Sequence, residues 1–550
     1  MKEYRSNKLN IPVRRAMWLA LGKTEEDLVK PKIAIVNSSS NYAVCFSHLD
    51  EIARVAAKEV EAAGGLPFEI RTAAPVDFLF TGHENGFILG SRDLISYDVE
   101  SAVEGMGLDG MICLASCDKT LPGQLMAAAR INVPTIVIAC GYQPCGTYKG
   151  EHFDIEDLFI QTGRKSVGQV TDEEMEEMIR AAIKGPGVCQ GIGTANTMHI
   201  ACEALGFCLP GTTPVLANSP AMWDAVKAAS HRIVEMVDED LKPRDILTPE
   251  AFANCVKTLL AVSGSLNAMK HLQAIAHAAQ SDVDVFGLFD KYADDIPLLA
   301  GIRPNGDIFI DDFDAAGGTL AVMKQLETVM DGNAVNANGK TVAENLKDAV
   351  VKNDEIIRPM DRPLNTRPGM IILKGNLADA GLMKLQIDDT IKTGYFRGPA
   401  KVFANAQQVI DALNAGTIVK GDVIVIRGLG ITGTPGMGGP RYSLFAVDGK
   451  GLSGDVAMIT DGNASGLCNA ALMVTDITPE AATGGAIGLI EDGDMITIDA
   501  AKRLLQLEVS DEVLEERRKK APDYHKRGEQ GWLKILQERA KPLTEGGVMD

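Results

Sequence analysis

The feature that most constrains the fold is the alternation of short apolar runs with helical segments in the first half of the chain. Residues 32–37 form one such run, and residues 48–65 then carry apolar residues at helical spacing up to a glycine pair. Further apolar runs at 110–115 and 134–139 enclose another helical segment. Strands that alternate with helices predict an α/β/α domain with a mostly parallel sheet covered on both faces.

The sequence changes character beyond residues 353–369, which are rich in Pro, Asn, Asp and Arg. Strand-like segments separated by glycine turns follow, and they predict a β-rich second domain, a barrel or a sandwich, of which we take the barrel-like form. We expect an α/β domain over residues 1–355 and a barrel-like C-terminal domain over 356–550, the latter with C-terminal helices such as 509–521. A chain of 550 residues is long enough for two such cores.

Charge and composition exclude several classes of protein. The chain has 54 Lys+Arg against 74 Asp+Glu, and its formal net charge of -20 argues against a nucleic-acid or anionic-membrane surface. No apolar stretch approaches the roughly 18 residues that span a membrane. Ten cysteines without a signal-like segment indicate reduced thiols in the cytoplasm. We therefore expect a cytoplasmic protein with neither nucleic-acid nor membrane partners.

Three cysteines, Cys45, Cys117 and Cys189, lie where a loop adjoins an apolar run. Thiolates from separate loops can hold an iron–sulfur cluster. Three ligands instead of four would leave one iron position open to a substrate oxygen, so that the cluster would act as a Lewis acid. Five others lie in apolar surroundings and are interpreted as packing residues, namely Cys113, Cys140, Cys202, Cys208 and Cys255.

Acidic residues and a lysine near these cysteines suggest a second metal. Asp118 and Lys119 directly follow Cys117, and a carboxylate suits a hard cation such as Mg²⁺. A confined lysine can lose its proton and react with carbon dioxide to form a carbamate, a second anionic ligand. A surface ion pair is the alternative. Asp77 lies among apolar residues, where an acid is costly unless it is paired or bound to a metal.

Glycine-rich turns provide further candidates. Ser465 lies in a probable turn after a strand, where it is either an ordinary turn residue or, beside a strongly positive metal site, a base. Residues 191–196 precede a predicted helix at 197–205 and form either an anion site or a plain cap. Residues 428–433 match a dinucleotide-binding pattern, but the Pro- and Gly-rich residues that follow cannot open a regular helix, which favours an active-site loop.

Together these residues resemble the dihydroxy-acid dehydratase and 6-phosphogluconate dehydratase family, almost from end to end. The motifs that carry the resemblance are the strand 31–37, the Cys45 loop, Cys117-Asp118-Lys119-x-x-Pro122-Gly123, Cys189-x-Gly191-x-x-Thr194-Ala195-Asn196, Gly264-Ser265-Leu266-Asn267-Ala268, Lys374-Gly375-Asn376, Thr434-Pro435-Gly436-Met437 and Thr460-Asp461-Gly462.

The resemblance implies an iron–sulfur cluster on Cys45, Cys117 and Cys189. The sequence does not decide between the [2Fe–2S] and [4Fe–4S] types, of which we favour [2Fe–2S]. The resemblance also implies Mg²⁺ near three ligands, Asp77, Asp118 and a carbamylated Lys119. Ser465 matches the family's proton-abstracting serine, and Lys119 joins it as a catalytic residue. A homodimer or homotetramer is implied as well.

Three positions depart from the family pattern. Gly439 stands where the family has a metal-binding acid after the Pro-Gly-Met turn. Asn463 and Ala464 replace an arginine and a bulky apolar residue before the serine, and Leu266 replaces a threonine. The cluster side therefore looks intact, whereas the substrate and Mg²⁺ side looks altered.

The leading hypothesis is a hydro-lyase that converts a 2,3-dihydroxy carboxylate into a 2-keto acid. Its small-molecule substrate would be a branched dihydroxy acid or an aldonic acid, and the departures slightly favour a sugar acid or an atypical substrate. One alternative is a family paralogue that keeps the cluster as a sensor of iron, oxygen or a metabolite. A nucleotide-dependent enzyme that uses the glycine-rich loops is a third hypothesis.

Overall fold

A four-stranded parallel sheet lies at the centre of the first half of the chain, in the strand order β2–β1–β3–β4. The computed structural model describes residues 11–367, 369–385, 394–466 and 471–549. The strands of this half are β1 (Lys32–Asn37), β2 (Leu66–Arg71), β3 (Gly110–Ala115), β4 (Thr135–Ala139) and a small hairpin of β5 (Gly146–Tyr148) and β6 (Glu151–Phe153). The helices are α1 (Ile11–Ala20), α2 (Leu49–Ala62), α3 (Gly86–Met106), α4 (Thr120–Ile131), α5 (Ile155–Lys165), α6 (Asp172–Ala181), α7 (Thr194–Leu205), α8 (Pro220–Glu239), α9 (Pro243–Ile246), α10 (Pro249–Ala261), α11 (Asn267–Ala278), α12 (Val285–Tyr292), α13 (Ile310–Ala315), α14 (Gly318–Gln325) and α15 (Val342–Lys347).

Helices cover both faces of this sheet. The connection through α2 moves from β1 to β2, and the connections through α3 and α4 move in the opposite direction. Right-handed crossovers therefore place α2 on one face and α3 with α4 on the other. All residues of β1, β3 and β4 are buried, as expected of strands covered on both sides. The predicted α/β/α arrangement is confirmed.

A closed eight-stranded barrel forms the second half, so the predicted barrel-like fold is also confirmed. Its strand order is β10–β11–β12–β8–β7–β14–β13–β9. The strands are β7 (Met370–Gly375), β8 (Ala378–Lys384), β9 (Tyr395–Phe403), β10 (Val423–Ile426), β11 (Ala457–Thr460), β12 (Leu472–Thr478), β13 (Met495–Asp499) and β14 (Leu504–Leu507). The helices are α16 (Ala406–Ala415), α17 (Arg441–Gly449), α18 (Asp511–Arg518) and α19 (Gly531–Arg539).

Successive side chains of a barrel strand pack alternately into two different hydrophobic cores. Val423 and Val425 of β10 belong to an apolar cluster with other barrel residues. Ile424 and Ile426 of the same strand belong to the large core that includes the parallel sheet. Because successive strand residues point to opposite faces, one face of the barrel wall packs inward and the other packs against the first half. The outer face of β10 therefore lies against the core of the first half.

The end of the chain is held by a buried arginine. Arg92 of α3 is fully buried, and its Nη1 and Nη2 donate hydrogen bonds of 2.9 Å each to the carbonyl oxygens of Gly546 and Gly547. Asp93 pairs with the same guanidinium. Among the described residues, no helix combines the length and the apolar character that crossing a membrane requires.

Glu203 of α7 provides a pH-dependent test of the fold. Its buried carboxylate accepts hydrogen bonds from the backbone N–H groups of Gly211 (2.7 Å) and Thr213 (2.8 Å), and burial raises its pKa from 4.5 to about 7. The folded state then holds this proton more strongly than the unfolded state. The free energy of unfolding should therefore fall by up to about 3 kcal/mol as the pH rises from 4.5 to 7.

The variant Glu203→Gln lacks this titration but occupies the same volume. We expect it to be more destabilised, relative to the unaltered protein, at pH 5 than at pH 7.5. Urea unfolding of both proteins at the two pH values measures the difference. A difference that is independent of pH would show that Glu203 does not hold its proton in the folded state.

Candidate active site

Two of the three singled-out cysteines follow neighbouring parallel strands. The chain leaves β1 and β3 in opposite directions, and such a switch point opens a crevice at the carboxyl edge of the sheet. Cys45 lies in a 3₁₀ turn (Val44–Phe46) in the loop after β1, and Cys117 lies two residues after β3. The Ser116 hydroxyl donates a 2.7 Å hydrogen bond to the carbonyl oxygen of Cys45, which ties the two loops together.

Cys189 reaches the same edge beside the segment that follows β4. The Val188 N–H donates to the carbonyl oxygen of Gly141 (2.9 Å), and Val188 forms a short parallel bridge with Tyr142 that places the next residue, Cys189. Helix α7 begins at Thr194, three residues earlier than predicted, because Gly193 adopts the extended cap conformation. Asn196 in the first turn then donates to the carbonyl oxygen of Cys189 (2.7 Å) and holds the cysteine loop.

The three thiols influence one another electrostatically. The pKa of Cys117 is raised well above its usual value, first by a hydrogen bond to the Cys45 sulfur, then by burial and by the charges of Cys45, Asp118 and Cys189. Burial also raises the pKa of Cys189, together with the charges of Glu156 and Asp118. Keeping several thiolates in this pocket is costly without a compensating cation.

The spacing of the sulfurs does not match a single ion. Within the described part of the chain, the three side chains whose ligand atoms all lie within 4.8 Å of one another are His152, Asp154 and Asp157. The three cysteine sulfurs do not form such a group. Arg303 already donates to Asp157 (2.5 Å), and Asp154 caps α5, so the His152 group is occupied by protein contacts.

Asp118, Lys119 and Asp77 form a buried charge cluster next to Cys117. The Lys119 ammonium lies 3.2 Å from Asp118 Oδ2 and 3.9 Å from Asp77 Oδ1, and Lys119 is 1% exposed. Burial raises the pKa of Asp118, with a further contribution from the charge of Asp77. Asp77 Oδ1 is buried and accepts no hydrogen bond. This oxygen is available to a cation.

Arg441, which the sequence did not single out, completes the cluster. Its Nη1 donates a 2.7 Å hydrogen bond to Asp77 Oδ2. Burial alone would raise the pKa of Asp77, but the charges of Arg441 and Lys119 outweigh it and lower the pKa. Arg441 is the first residue of α17, and its guanidinium carbon lies 5.6 Å from the ring centre of Phe159.

Ser465 occupies a strained turn at the carboxyl end of β11. Its φ of 56° lies in the left-handed region, and its N–H donates to Asn463 Oδ1 (3.2 Å). Lys270 of α11 donates to the same Asn463 oxygen (3.4 Å) and to Asp476 (2.6 Å). Left-handed backbone at a residue other than glycine is a feature of functional turns.

The backbone of the serine turn comes close to the Cys189 loop and to the segment before Arg441. A Cβ placed on Gly466 would lie 3.2 Å from the carbonyl oxygen of Ile192 in the Cys189 loop. A Cβ placed on Gly439 would lie 3.5 Å from the carbonyl oxygen of Asn463 and 3.3 Å from Arg441 Nε. The seven predicted site residues therefore lie in one neighbourhood, namely Cys45, Cys117, Cys189, Asp77, Asp118, Lys119 and Ser465.

Two further buried residues near the site were not predicted from the sequence. The pKa of Glu156 is raised well above normal by burial and by the charges of Asp154 and Asp157, and its carboxyl lies against Gly191 in the Cys189 loop. Lys270 is 1% exposed and pairs with Asp476. The only sequence signal for either residue is a charge within an apolar helix face.

Comparison with known proteins assigns the chain to a family. Residues 30–345 match the family model described as dihydroxy-acid/6-phosphogluconate dehydratase N-terminal, and residues 355–547 match its C-terminal counterpart. The dihydroxy-acid dehydratase of Pyrococcus abyssi is 40% identical over 513 residues, 92% of either chain. The dihydroxy-acid dehydratases of Methanothermobacter thermautotrophicus and Methanococcus aeolicus are 38% and 37% identical, each over 97% of either chain. The chain therefore belongs to the dihydroxy-acid/6-phosphogluconate dehydratase family.

Proposed function

We propose that this protein is a hydro-lyase that dehydrates a 2,3-dihydroxy carboxylate to a 2-keto acid. The observation that carries the proposal is the meeting of three cysteine loops, a buried acid–lysine cluster and the Ser465 turn around one region. Membership of a dehydratase family, and relatives named dihydroxy-acid dehydratase over nearly their full length, support the same reaction.

The cysteine set fits an iron–sulfur cluster. A single tetrahedral ion with metal–sulfur bonds of about 2.3 Å would hold its sulfurs about 3.8 Å apart, and the three sulfurs are not grouped so closely. Cys45, Cys117 and Cys189 would hold the cluster, and we propose that it is of the [2Fe–2S] type. When bound through three cysteines, the cluster supplies a Lewis acid with one open position.

The acid cluster fits a hard divalent cation. Asp77 Oδ1 lacks a hydrogen-bond donor although it is buried, and Asp118 lies on the other side of Lys119. A carbamate on Lys119 would add a third anionic oxygen donor. Mg²⁺ held there supplies fixed positive charge where negative charge develops on the substrate.

The remaining chemistry belongs to the protein's own side chains. Ser465 accepts the proton from C2 of the substrate, and the charge of Lys270, which bonds Asn463 two residues before the serine, favours the ionised serine. Departure of the C3 hydroxyl leaves an enol, which relaxes to the 2-keto acid. The hydroxide from C3 and the proton from C2 together make up the water that is released. Burial of the region limits competing reactions of the enol.

We take a branched dihydroxy acid as the first candidate substrate and an aldonic acid as the second. The names of the relatives support the first. Asn463 supports the second, because both of its recorded side-chain contacts use Oδ1 and its amide nitrogen can donate to an additional hydroxyl. A polyhydroxylated acid would use such a donor.

Anaerobic reconstitution followed by a keto-acid assay tests the proposal. The panel should hold branched 2,3-dihydroxy acids and aldonic acids, and at least one member is expected to yield its 2-keto acid. Iron and sulfide determination on the same sample gives the cluster type, with about two irons per chain expected. Loaded protein that releases no keto acid from any member would overturn the proposal.

A further inference from the structure

We propose that Arg441 binds the carboxylate of the substrate and thereby selects anionic over neutral dihydroxy compounds. This inference rests on the proposed function and assigns one residue to the acid group of the substrate. Within the described residues, the guanidinium makes one recorded hydrogen bond, from Nη1 to Asp77, although Arg441 is 7% exposed. Its Nε and Nη2 have no acceptor among the described residues.

A buried arginine normally uses its fork of N–H groups fully. Arginine–carboxylate pairs are frequently bidentate, whereas Arg441 contacts Asp77 through a single nitrogen. Nε and Nη2 lack a protein acceptor but are not fully buried, so a ligand can reach them. A planar anion such as a carboxylate satisfies the remaining edge of the guanidinium with two parallel hydrogen bonds.

Aromatic packing holds the guanidinium in place before any ligand binds. Phe159 lies under the guanidinium, with its ring centre 4.8 Å from that of Tyr442 and 5.4 Å from that of Phe445. These two rings belong to α17, the helix that begins with Arg441. The positive end of this helix adds to the attraction for an anion. Arg441 is therefore pre-organised and pays little entropy on binding.

Gly439 leaves the free edge of the guanidinium open. A Cβ at this position would lie 3.3 Å from Arg441 Nε and 3.4 Å from Asn85 Nδ2. Any longer side chain would compete with a ligand for this edge. Lys270, which pairs with Asp476, adds a second cation to this part of a chain whose net charge is -20.

The test compares a substrate acid with its neutral methyl ester in the cluster-loaded enzyme. In the unaltered enzyme the acid should be strongly preferred. In Arg441→Gln, KM for the acid should rise roughly 10- to 100-fold, more than kcat falls, while the ester is nearly unaffected. Arg441→Lys keeps the charge without the fork and should be intermediate.

Arg164→Gln is the matched control. Arg164 of α5 pairs with Asp448 of α17 (2.7 Å), so the variant also removes an arginine–carboxylate contact of this helix. The preference for the acid should persist in it. Retention of the full preference in Arg441→Gln would overturn the inference and leave Arg441 as a counter-ion of Asp77.

Calorimetric titration with the 2-keto acid makes the result independent of turnover. Binding should weaken roughly 10- to 100-fold in Arg441→Gln but not in Arg164→Gln. If the unaltered enzyme binds the acid but dehydrates nothing, the proposed function fails and this comparison still decides the inference. If Arg441→Gln does not hold its cluster, Gly439→Glu tests the same edge by placing a carboxylate against Nε, and unchanged binding there would contradict the inference.

Discussion

Replacement of Ser465 with alanine is expected to reduce kcat about 1,000-fold or more, without loss of the cluster. The proposed mechanism uses the Ser465 oxygen to take the C2 proton, and alanine has no group that can do so. Backbone strain does not change, because both residues must adopt the same φ of 56°. The serine turn touches the Cys189 loop through Gly466 but supplies none of the proposed sulfur ligands.

The measurement is kcat under anaerobic conditions together with iron content and the visible spectrum. Ser443→Ala is the matched control, since Ser443 is also a buried serine, and its hydroxyl bonds the carbonyl oxygen of Pro440 at the start of α17. The Ser443→Ala enzyme should keep most of the activity of the unaltered enzyme. A kcat within tenfold of the unaltered enzyme in Ser465→Ala would remove the serine from the mechanism.

Replacement of Cys117 with serine should abolish both the visible absorption of the cluster and the activity. A serine hydroxyl is a far poorer iron ligand than a thiolate, and Cys117 lies between the Cys45 sulfur and the charged pair Asp118 and Lys119. The same loss is expected for the equivalent changes at Cys45 and Cys189. Iron and sulfide analysis after anaerobic reconstitution measures it.

Cys113→Ala is the control for the cysteine substitutions, because Cys113 is interpreted as a packing residue and not as a cluster ligand. Cys113 lies inside β3, fully buried, and burial raises its pKa. Its removal should cost about 1 kcal/mol of stability and leave the colour of the loaded protein unchanged. A coloured, iron-loaded Cys117→Ser protein, or a colourless Cys113→Ala protein, would contradict the assignment of the ligands.

Three of the four parallel strands, β1, β3 and β4, could be predicted from the sequence because each is buried on both faces. Residues 32–37, 110–115 and 134–139 are nearly continuous apolar runs, and the structure has strands at all three. Several barrel strands were not predicted. Ala378–Lys384 carries Asp379 and Gly381 within a weak apolar pattern, and tertiary pairing with β7 and β12 decides its conformation. The domain division at residue 355 stays a prediction.

The candidate site was predictable only where its residues lie in local motifs. The Cys117-Asp118-Lys119 run places a candidate sulfur ligand, a carboxylate and a lysine in three consecutive residues, so it could be recognised from the sequence. The pair of Asp77 and Arg441 spans 364 positions, and that of Lys270 and Asp476 spans 206, so neither leaves a local pattern. Packing of the barrel loops on the parallel-sheet domain creates these pairs, and periodicity does not encode such packing.

The site residues come from both halves of the chain, so they are translated at different times. All three proposed sulfur ligands precede α7, whereas Arg441 and Ser465 come from the barrel. Translation of the intervening chain, at about 5–20 residues per second, takes on the order of tens of seconds. During that interval the proposed sulfur ligands are already synthesised, whereas the barrel residues of the site are not. The site is therefore completed in two stages, with the cysteines first and Arg441 and Ser465 second.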